Sequence, residues 1–359
     1  MSRFIPQYGP YIKLKYIWSV IKQIYSGWIG SGKACELVEQ ELCKITNNKY
    51  CVSTTSGTTA LVMAIKSLNI PKYKKILLPA YTFIAPHNAA KFLGYDIELV
   101  DIDKETLCMH RLKLSEKIKE LGSDKVGAVI YVTHNGCYNY LGNIKGICQN
   151  YNIPLIEDSS QSLGGKYGFI GDLSIVSFSV PKICTSGQGG AVLTQNKNLY
   201  NELKKIQDQG GNWRETKIHQ FLGVNFKFND ILAAYLLPQL KNLKQLIKRR
   251  DNVFKEYRRY INLIDYGYDS TWMAIYQTKY AKEIIMALKK QNIQAVQYYK
   301  PINHNPPYKD DNIYPNAEQI YNTCVYLPSS LTLKKRDIKK ICTIINEIES
   351  PFCIEAPIL

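Results

Sequence analysis

A chain of 359 residues, 45% hydrophobic and 21% charged, has the length and composition to bury the core of one large domain or two. It holds no apolar run near the ~20 residues of a membrane-spanning helix, and no basic start leading into a short apolar run, so a cytoplasmic protein with no membrane partner is expected. The net charge of +16 admits nucleic acid as a partner, but the lysines are dispersed, as in "LKNLKQLIKRR", without an aromatic-interleaved basic tract; nucleic-acid binding is not expected, and an anionic substrate is a sufficient reason for the excess.

The ten cysteines are scattered, and no two have C-x-x-C spacing, which predicts reduced thiols and no zinc or other metal site. Near the N-terminus "GWIGSGKA" almost fits the phosphate-loop pattern G-x-x-x-x-G-K-[ST]. Ala34, however, stands where a magnesium-binding hydroxyl is needed, and no strand clearly precedes it. "ACELVEQELCKI" has helical apolar spacing. "CVSTTSGTTALVMAI" reads as a strand, then Ser56-Gly57-Thr58-Thr59, then a helix. Outward amides and the helix dipole suit an anion there, although an ordinary N-cap looks the same. "KKILLPA", "DIELVDI", "VGAVIYVTH" and "IPLIED" are predicted strands. Their alternation with helices predicts an α/β fold with a mainly parallel sheet covered on both faces, whose ligand site lies at the carboxyl ends of the strands.

"IPLIEDSSQSLGG" ends its strand in Glu157-Asp158, followed by Gln161. A carboxylate there suits a metal, an ion pair or a cofactor nitrogen. In "SIVSFSVPKICTSGQGGAVLT" a buried strand is followed by Lys182 and then by Gly187-Gln188-Gly189-Gly190. A lysine at the edge of a core can have a lowered pKa and form imines; a solvated turn lysine is the plain alternative. A long helix is expected from about Asn229 to Tyr260, bent near Pro238. It leads into a smaller C-terminal domain, with "TWMAIYQ" as a strand and "AKEIIMALKKQN" and "KKRDIKKICTIINEI" as amphipathic helices. The expected division is a large domain at 1–235 and a smaller α/β domain at 236–359.

Together, an anion-binding Gly-Thr at a helix start, an aspartate at a strand end and a lysine beyond the next strand meet the needs of pyridoxal phosphate. Its phosphate needs amide donors, its ring nitrogen a carboxylate, and its aldehyde an amine. These residues, with "GWIGSGKACELVEQEL", "PAYTFIAPHNAA", "SFSVPKICTSGQGGAVLT", "GVNFKFNDILAAYLLPQL" and "YLPSS", resemble the DegT/StrS family of sugar-nucleotide aminotransferases over most of the chain, from about Ile5 to about Ile348.

The resemblance implies the type I pyridoxal phosphate-dependent aminotransferase fold and a set of roles. Lys182 would bond the cofactor aldehyde and act as catalytic acid and base, and Asp158 would pair with the ring nitrogen. Gln161 would lie near the ring and its phenolic oxygen. Gly57, Thr58 and Ser177 would hold the phosphate, and Phe83 would stack on the ring. Asn225 would reach the phosphate of the other subunit in a homodimer with shared sites. Trp28, Ser31, Lys227 and Tyr299 are candidate substrate contacts, with core packing an equal reading for Trp28. Lys227, Gln188, Ser179, Tyr298 and Asn303 depart from the family's usual arginine, glutamate and histidines. The spacing from Lys182 to the glycine turn, and "IQDQGGN", are similar to members acting at C4, including viosamine- and perosamine-forming enzymes. The expected reaction transfers nitrogen, with L-glutamate as donor, to a 4-keto-6-deoxyhexose linked to UDP, dTDP or GDP. Amination at C3, sugar dehydration and a non-catalytic regulator or nucleic-acid binder on the same scaffold are the alternatives; Lys182 argues against the dehydratase.

Overall fold

The structure is a computed structural model that describes residues 3–165, 167–211, 217–219, 221–265 and 272–350. After helices α1 (Leu14–Tyr25) and α2 (Lys33–Thr46) comes a seven-stranded sheet. Its strands are β1 (Tyr50–Thr54), β2 (Lys75–Pro79), β3 (Ile97–Val100), β4 (Val126–Val132), β5 (Leu155–Asp158), β6 (Leu173–Ser177) and β7 (Gly190–Thr194). Their spatial order is β1-β7-β6-β5-β4-β2-β3. From β3 to β6 all pairings are parallel, while β7 runs antiparallel to both its neighbours. The expectation of a mainly parallel sheet therefore holds.

Helices α3 (Gly57–Ser67), α4 (Ala85–Phe92), α5 (Arg111–Leu121), α6 (Leu141–Asn150) and α7 (Lys197–Gln207) follow β1, β2, β3, β4 and β7. Alternation along the strands divides the core. Ile76, Leu78 and Ile130 pack with α3 and α4, while Leu77, Val129 and Tyr131 pack with α5 and α6. At the other end of the sheet, α2 packs with Val176, Phe178 and Leu193 and with the helix α8 (Asp230–Leu240). With both faces covered, β4 is buried at all seven positions.

The helix expected from Asn229 to Tyr260 is two helices, α8 and α9 (Leu243–Tyr257), with a break at Lys241–Asn242. Pro238 has no N–H for the residue 234 carbonyl and crowds it. Beside it, the Gln239 side chain donates to Tyr235 O at 2.9 Å and to Thr185 O at 2.7 Å, tying the helix to the turn before β7. Beyond α9, β8 (Ala274–Gln277) pairs antiparallel with β9 (Cys324–Leu327), flanked by α10 (Ala281–Lys290), α11 (Pro315–Thr323) and α12 (Lys335–Glu349). Ile5 bridges to Ile293, so the first described residues lie against this C-terminal part of the chain.

Candidate active site

The N-terminus of α3 opens at one end of the sheet. Ser56 caps it: its Oγ accepts from Thr59 N at 3.1 Å, and Thr59 Oγ1 accepts from Ser56 N at 2.9 Å. The Gly57 and Thr58 amides donate to no partner among the described residues. A side chain at position 57 would press on Ser177, since a Cβ there would stand 2.9 Å from Ser177 Cβ. Glycine thus lets the end of β6 close onto the helix start, which places a hydroxyl beside two open amides and the positive end of a helix.

Asp158 ends β5. Its Oδ1 accepts the Ser160 amide at 3.0 Å. Burial raises its pKa, against the pull of the Ser160 hydrogen bonds and of Lys182. Lys182 follows β6, its amide bonded to Ser179 O at 3.0 Å. Burial lowers its pKa to about 8, and Asp158 opposes that shift. An amine near neutrality is a competent nucleophile and proton carrier. Its Nζ lies 4.3 Å from the centre of the Trp272 ring.

Gln161 Oε1 accepts the Asn135 amide at 2.7 Å, and Tyr299 packs between Phe83, Tyr81 and His134 with ring centres 5.8–6.1 Å apart. Burial first, and then Tyr298 and Asp158, keep the Tyr299 phenol protonated by raising its pKa. Gly57, Thr58, Phe83, Asp158, Gln161, Ser177, Lys182 and Tyr299 all line one cavity of about 350 Å³. Tyr8, Ser160, Ser179, Gln188, Trp272 and Met273 line it too. Tyr8 comes from the N-terminal segment and Trp272 from the start of "TWMAIYQ", and neither carries a local pattern that marks it.

The other four candidates lie elsewhere. Ser31 and Lys227 share a separate depression with Asp208, to which Lys227 Nζ is ion-paired. Asn225 is exposed and bridges to Asp208. Trp28 is 55% exposed, so core packing is not its role in the single chain. The start of α2, which resembles a phosphate loop, already holds an anion from within the chain. The Asp230 carboxylate accepts the Gly32, Ala34 and Cys35 amides at 2.9, 3.2 and 3.0 Å.

Glu157 is also absent from the cavity wall. It is fully buried beneath Asp158 and takes the amides of Phe169, Ile170 and Gly171 at 2.7, 2.8 and 3.1 Å, with the Ser159 hydroxyl at 2.5 Å. Of the two adjacent carboxylates, one holds a loop and the other faces the cavity.

The donor set in the cavity fits pyridoxal phosphate. Open amides and hydroxyls match a phosphate, a buried carboxylate matches a protonated ring nitrogen, and an amine of lowered pKa matches an aldehyde. Over 365 residues the chain is 29% identical to the GDP-perosamine synthase of Escherichia coli O157:H7, covering 97% of this chain and 99% of that protein. The fold superposes on PseC of Helicobacter pylori, an aminotransferase involved in the biosynthesis of pseudoaminic acid, with a TM-score of 0.89 at 22% identity. The match covers 97% of this chain and 100% of that one. It also superposes on the PLP form of a putative sugar aminotransferase from Streptococcus pneumoniae, with a TM-score of 0.87 at 22% identity, covering 96% of this chain and 100% of that one. The family model for DegT/DnrJ/EryC1/StrS aminotransferases matches residues 11–346. The chain belongs to this family, whose members are pyridoxal phosphate-dependent sugar aminotransferases.

Proposed function

We propose that this enzyme transfers the amino group of L-glutamate to C4 of a nucleotide-linked 4-keto-6-deoxyhexose, giving the 4-amino-4,6-dideoxy sugar. The observation that carries the reading is the pairing of Asp158 with Lys182 across a cavity that begins at the open amides of α3. The near full-length likeness to a GDP-perosamine synthase supports the 4-amino product. Bound, pyridoxal phosphate supplies the electron sink that lets nitrogen leave the donor and reach an acceptor carbonyl.

The chain's own residues do the rest. The Gly57 and Thr58 amides and the Ser177 hydroxyl would hold the phosphate. Asp158, fixed by Ser160, would keep the ring nitrogen protonated, and Phe83 and Gln161 would contact the ring. Lys182 Nζ would hold the aldehyde and, when free, would move a proton at the donor or sugar carbon. Tyr299 contributes a neutral phenol to the wall that meets the substrate.

Asn225 and Lys227, outside the cavity of their own chain, serve the phosphate and substrate of a second copy. Ser31 lines the same depression as Lys227, and Trp28 Nε1 donates to the Ser31 carbonyl at 3.4 Å. The active unit is then a homodimer. The nucleotide is UDP, dTDP or GDP, and the excess positive charge suits its phosphates.

The test is to incubate the protein with 15N-labelled L-glutamate, or other labelled amino acids in turn, and each 4-keto- and 3-keto-6-deoxyhexose nucleotide, and to locate the label by NMR. Label on C4 is expected. Label on C3 of a 3-keto substrate would replace the C4 assignment. No transfer from any donor, in a protein that binds pyridoxal phosphate, would overturn the reading.

A further inference from the structure

Lys182 does not stand alone in the cavity wall, and an aromatic ring beside its amine comes from a distant part of the chain. Trp272, 7% exposed, precedes β8 and presents its ring 4.3 Å from Lys182 Nζ. The ring is fixed from several sides. Its Nε1–H donates to the carbonyl of Pro181, the residue before the lysine, at 2.8 Å. Its own carbonyl accepts from Nη1 of the buried Arg250 on α9. The next residue, Met273, is clasped by the Asn135 side chain in both directions: Met273 N donates to Oδ1 at 2.7 Å and Asn135 Nδ2 donates to Met273 O at 2.9 Å. The Asn135 amide in turn donates to Gln161 Oε1 at 2.7 Å. The indole is therefore held at a set distance from the lysine by bonds that reach the strand ends of both sheets.

We propose that Trp272 is a positioning residue that seats the amine of Lys182 on its indole face whenever the lysine is not joined to the cofactor. The inference rests on Lys182 being the reacting lysine. The donor amine would free the lysine in the first half-reaction, and the lysine would stay free until it expels the amino sugar at the end of the second; through that interval the side chain would have four rotatable bonds to wander through. An aromatic face attracts the cationic form of an amine and leaves the neutral form nearly indifferent. A lysine seated there keeps both its place and a share of its proton while it waits to transfer one.

The charged and titratable groups around the amine bear on this. Asp158, at the end of β5, favours the cation. His134, after β4, is held neutral because burial and Lys182 push its pKa down to about 3. Tyr299 stays protonated. Arg250 lies behind the Trp272 carbonyl, to which it donates. From β6 and the turn after it come the hydroxyls of Ser177 and Ser179. Trp272 supplies the aromatic face among these neighbours.

The test uses the full-length protein stripped of cofactor, with W272L and W272F. Each is pulsed with a limiting amount of acetic anhydride over a range of pH, and acetylation of the Lys182 peptide is followed by mass spectrometry against the exposed Lys44. Leucine keeps the site apolar and removes the π face, so the W272L midpoint is expected to fall by about one pH unit. Below the midpoint this makes labelling about tenfold faster at fixed pH. W272F, with a weaker π face, is expected to fall between. An unchanged midpoint, a rise through water entry, or an equal shift in both variants would overturn the seat and leave plain packing. Should W272L not fold, W272F decides alone: a fall supports the proposal and no fall overturns it. Borohydride reduction of the holoenzyme keeps the two readings apart. If the Lys182 peptide gains no pyridoxyl mass, the assignment of the lysine fails, whatever the labelling midpoints show.

Discussion

At the scale of single residues the site is a contest between burial and charge. Burial destabilises the Lys182 cation, and Asp158 restores only part of that loss, leaving a pKa of about 8 against an ordinary 10.5. The sign of the consequence for stability follows. Below about pH 8 folded and unfolded chains both carry the proton, and the folded state bears the full penalty. Between about 8 and 10.5 the unfolded chain binds a proton that the folded one has released, so stability rises with pH. Asp158 acts in the opposite sense at low pH: its raised pKa means that stability is lost as pH climbs through and above 3.8. Lys182→Met, which removes the buried charge, is expected to make the cofactor-free protein more stable than wild type at neutral pH, by at most on the order of 3 kcal/mol. The gain should shrink toward pH 10.5. Urea unfolding of both proteins at the two pH values measures it, and a pH-independent difference would show that the amine is not charged at a cost.

The residues of this contest were legible because each ends or follows an apolar strand: Asp158 after "IPLI", Lys182 after "SIVSFS". Trp272 was not, because its approach to Lys182 depends on a contact 90 residues away in the chain. Glu157 next to Asp158 shows the same limit. Strand alternation turns the two carboxylates to opposite faces, but only the folded loop of Phe169, Ile170 and Gly171 reveals that Glu157 is consumed by amides.

At the scale of elements, the termini of helices decide which sequence motifs become sites. Two helix starts in this chain look fit for phosphate. At α3 the cap is a neutral serine–threonine box that leaves the first amides open. At α2 the Asp230 carboxylate fills the corresponding place, and its own amide donates to Gly30 O at 2.7 Å. Asp230 is also the first residue of α8, so one side chain caps one helix from the beginning of another and holds the pair together. Asp230→Ala is expected to lower stability by about 2 kcal/mol, from a lost cap, a lost charge–dipole attraction and unpaired amides near the core. Asp230→Asn, which keeps one acceptor, should lose about half as much. Thermal denaturation of the two variants measures this. Equal midpoints for wild type and Asp230→Ala would mean that water replaces the carboxylate without cost. The break between α8 and α9 belongs to the same scale: Pro238 announced a disturbance in the sequence, but the helix runs on past it to Leu240, and the break falls at Lys241–Asn242.

At the scale of the whole molecule, the single chain leaves apolar side chains exposed in two segments, and the proposed homodimer offers a second copy to cover them. Helix α1 buries Tyr16 but exposes Leu14, Ile17, Trp18, Ile24 and Tyr25. The segment that carries Asn225 exposes Phe221, Leu222 and Val224. The candidates outside the cavity, Asn225 and Lys227, lie on or beside that segment, which is what a site shared across a two-fold axis requires. Mixing two inactive proteins tests the sharing directly. In Lys182→Ala the site lacks its amine, and in Asn225→Ala it lacks the contact expected from the neighbour. If Asn225 serves the other subunit, a heterodimer of the two contains one site with both residues intact and one with neither. Random exchange from an equal mixture makes half the dimers mixed, so about a quarter of wild-type activity should return after unfolding and refolding together. If Asn225 served its own chain, every site in the mixture would still lack one residue, and activity would stay at the sum of the two variants.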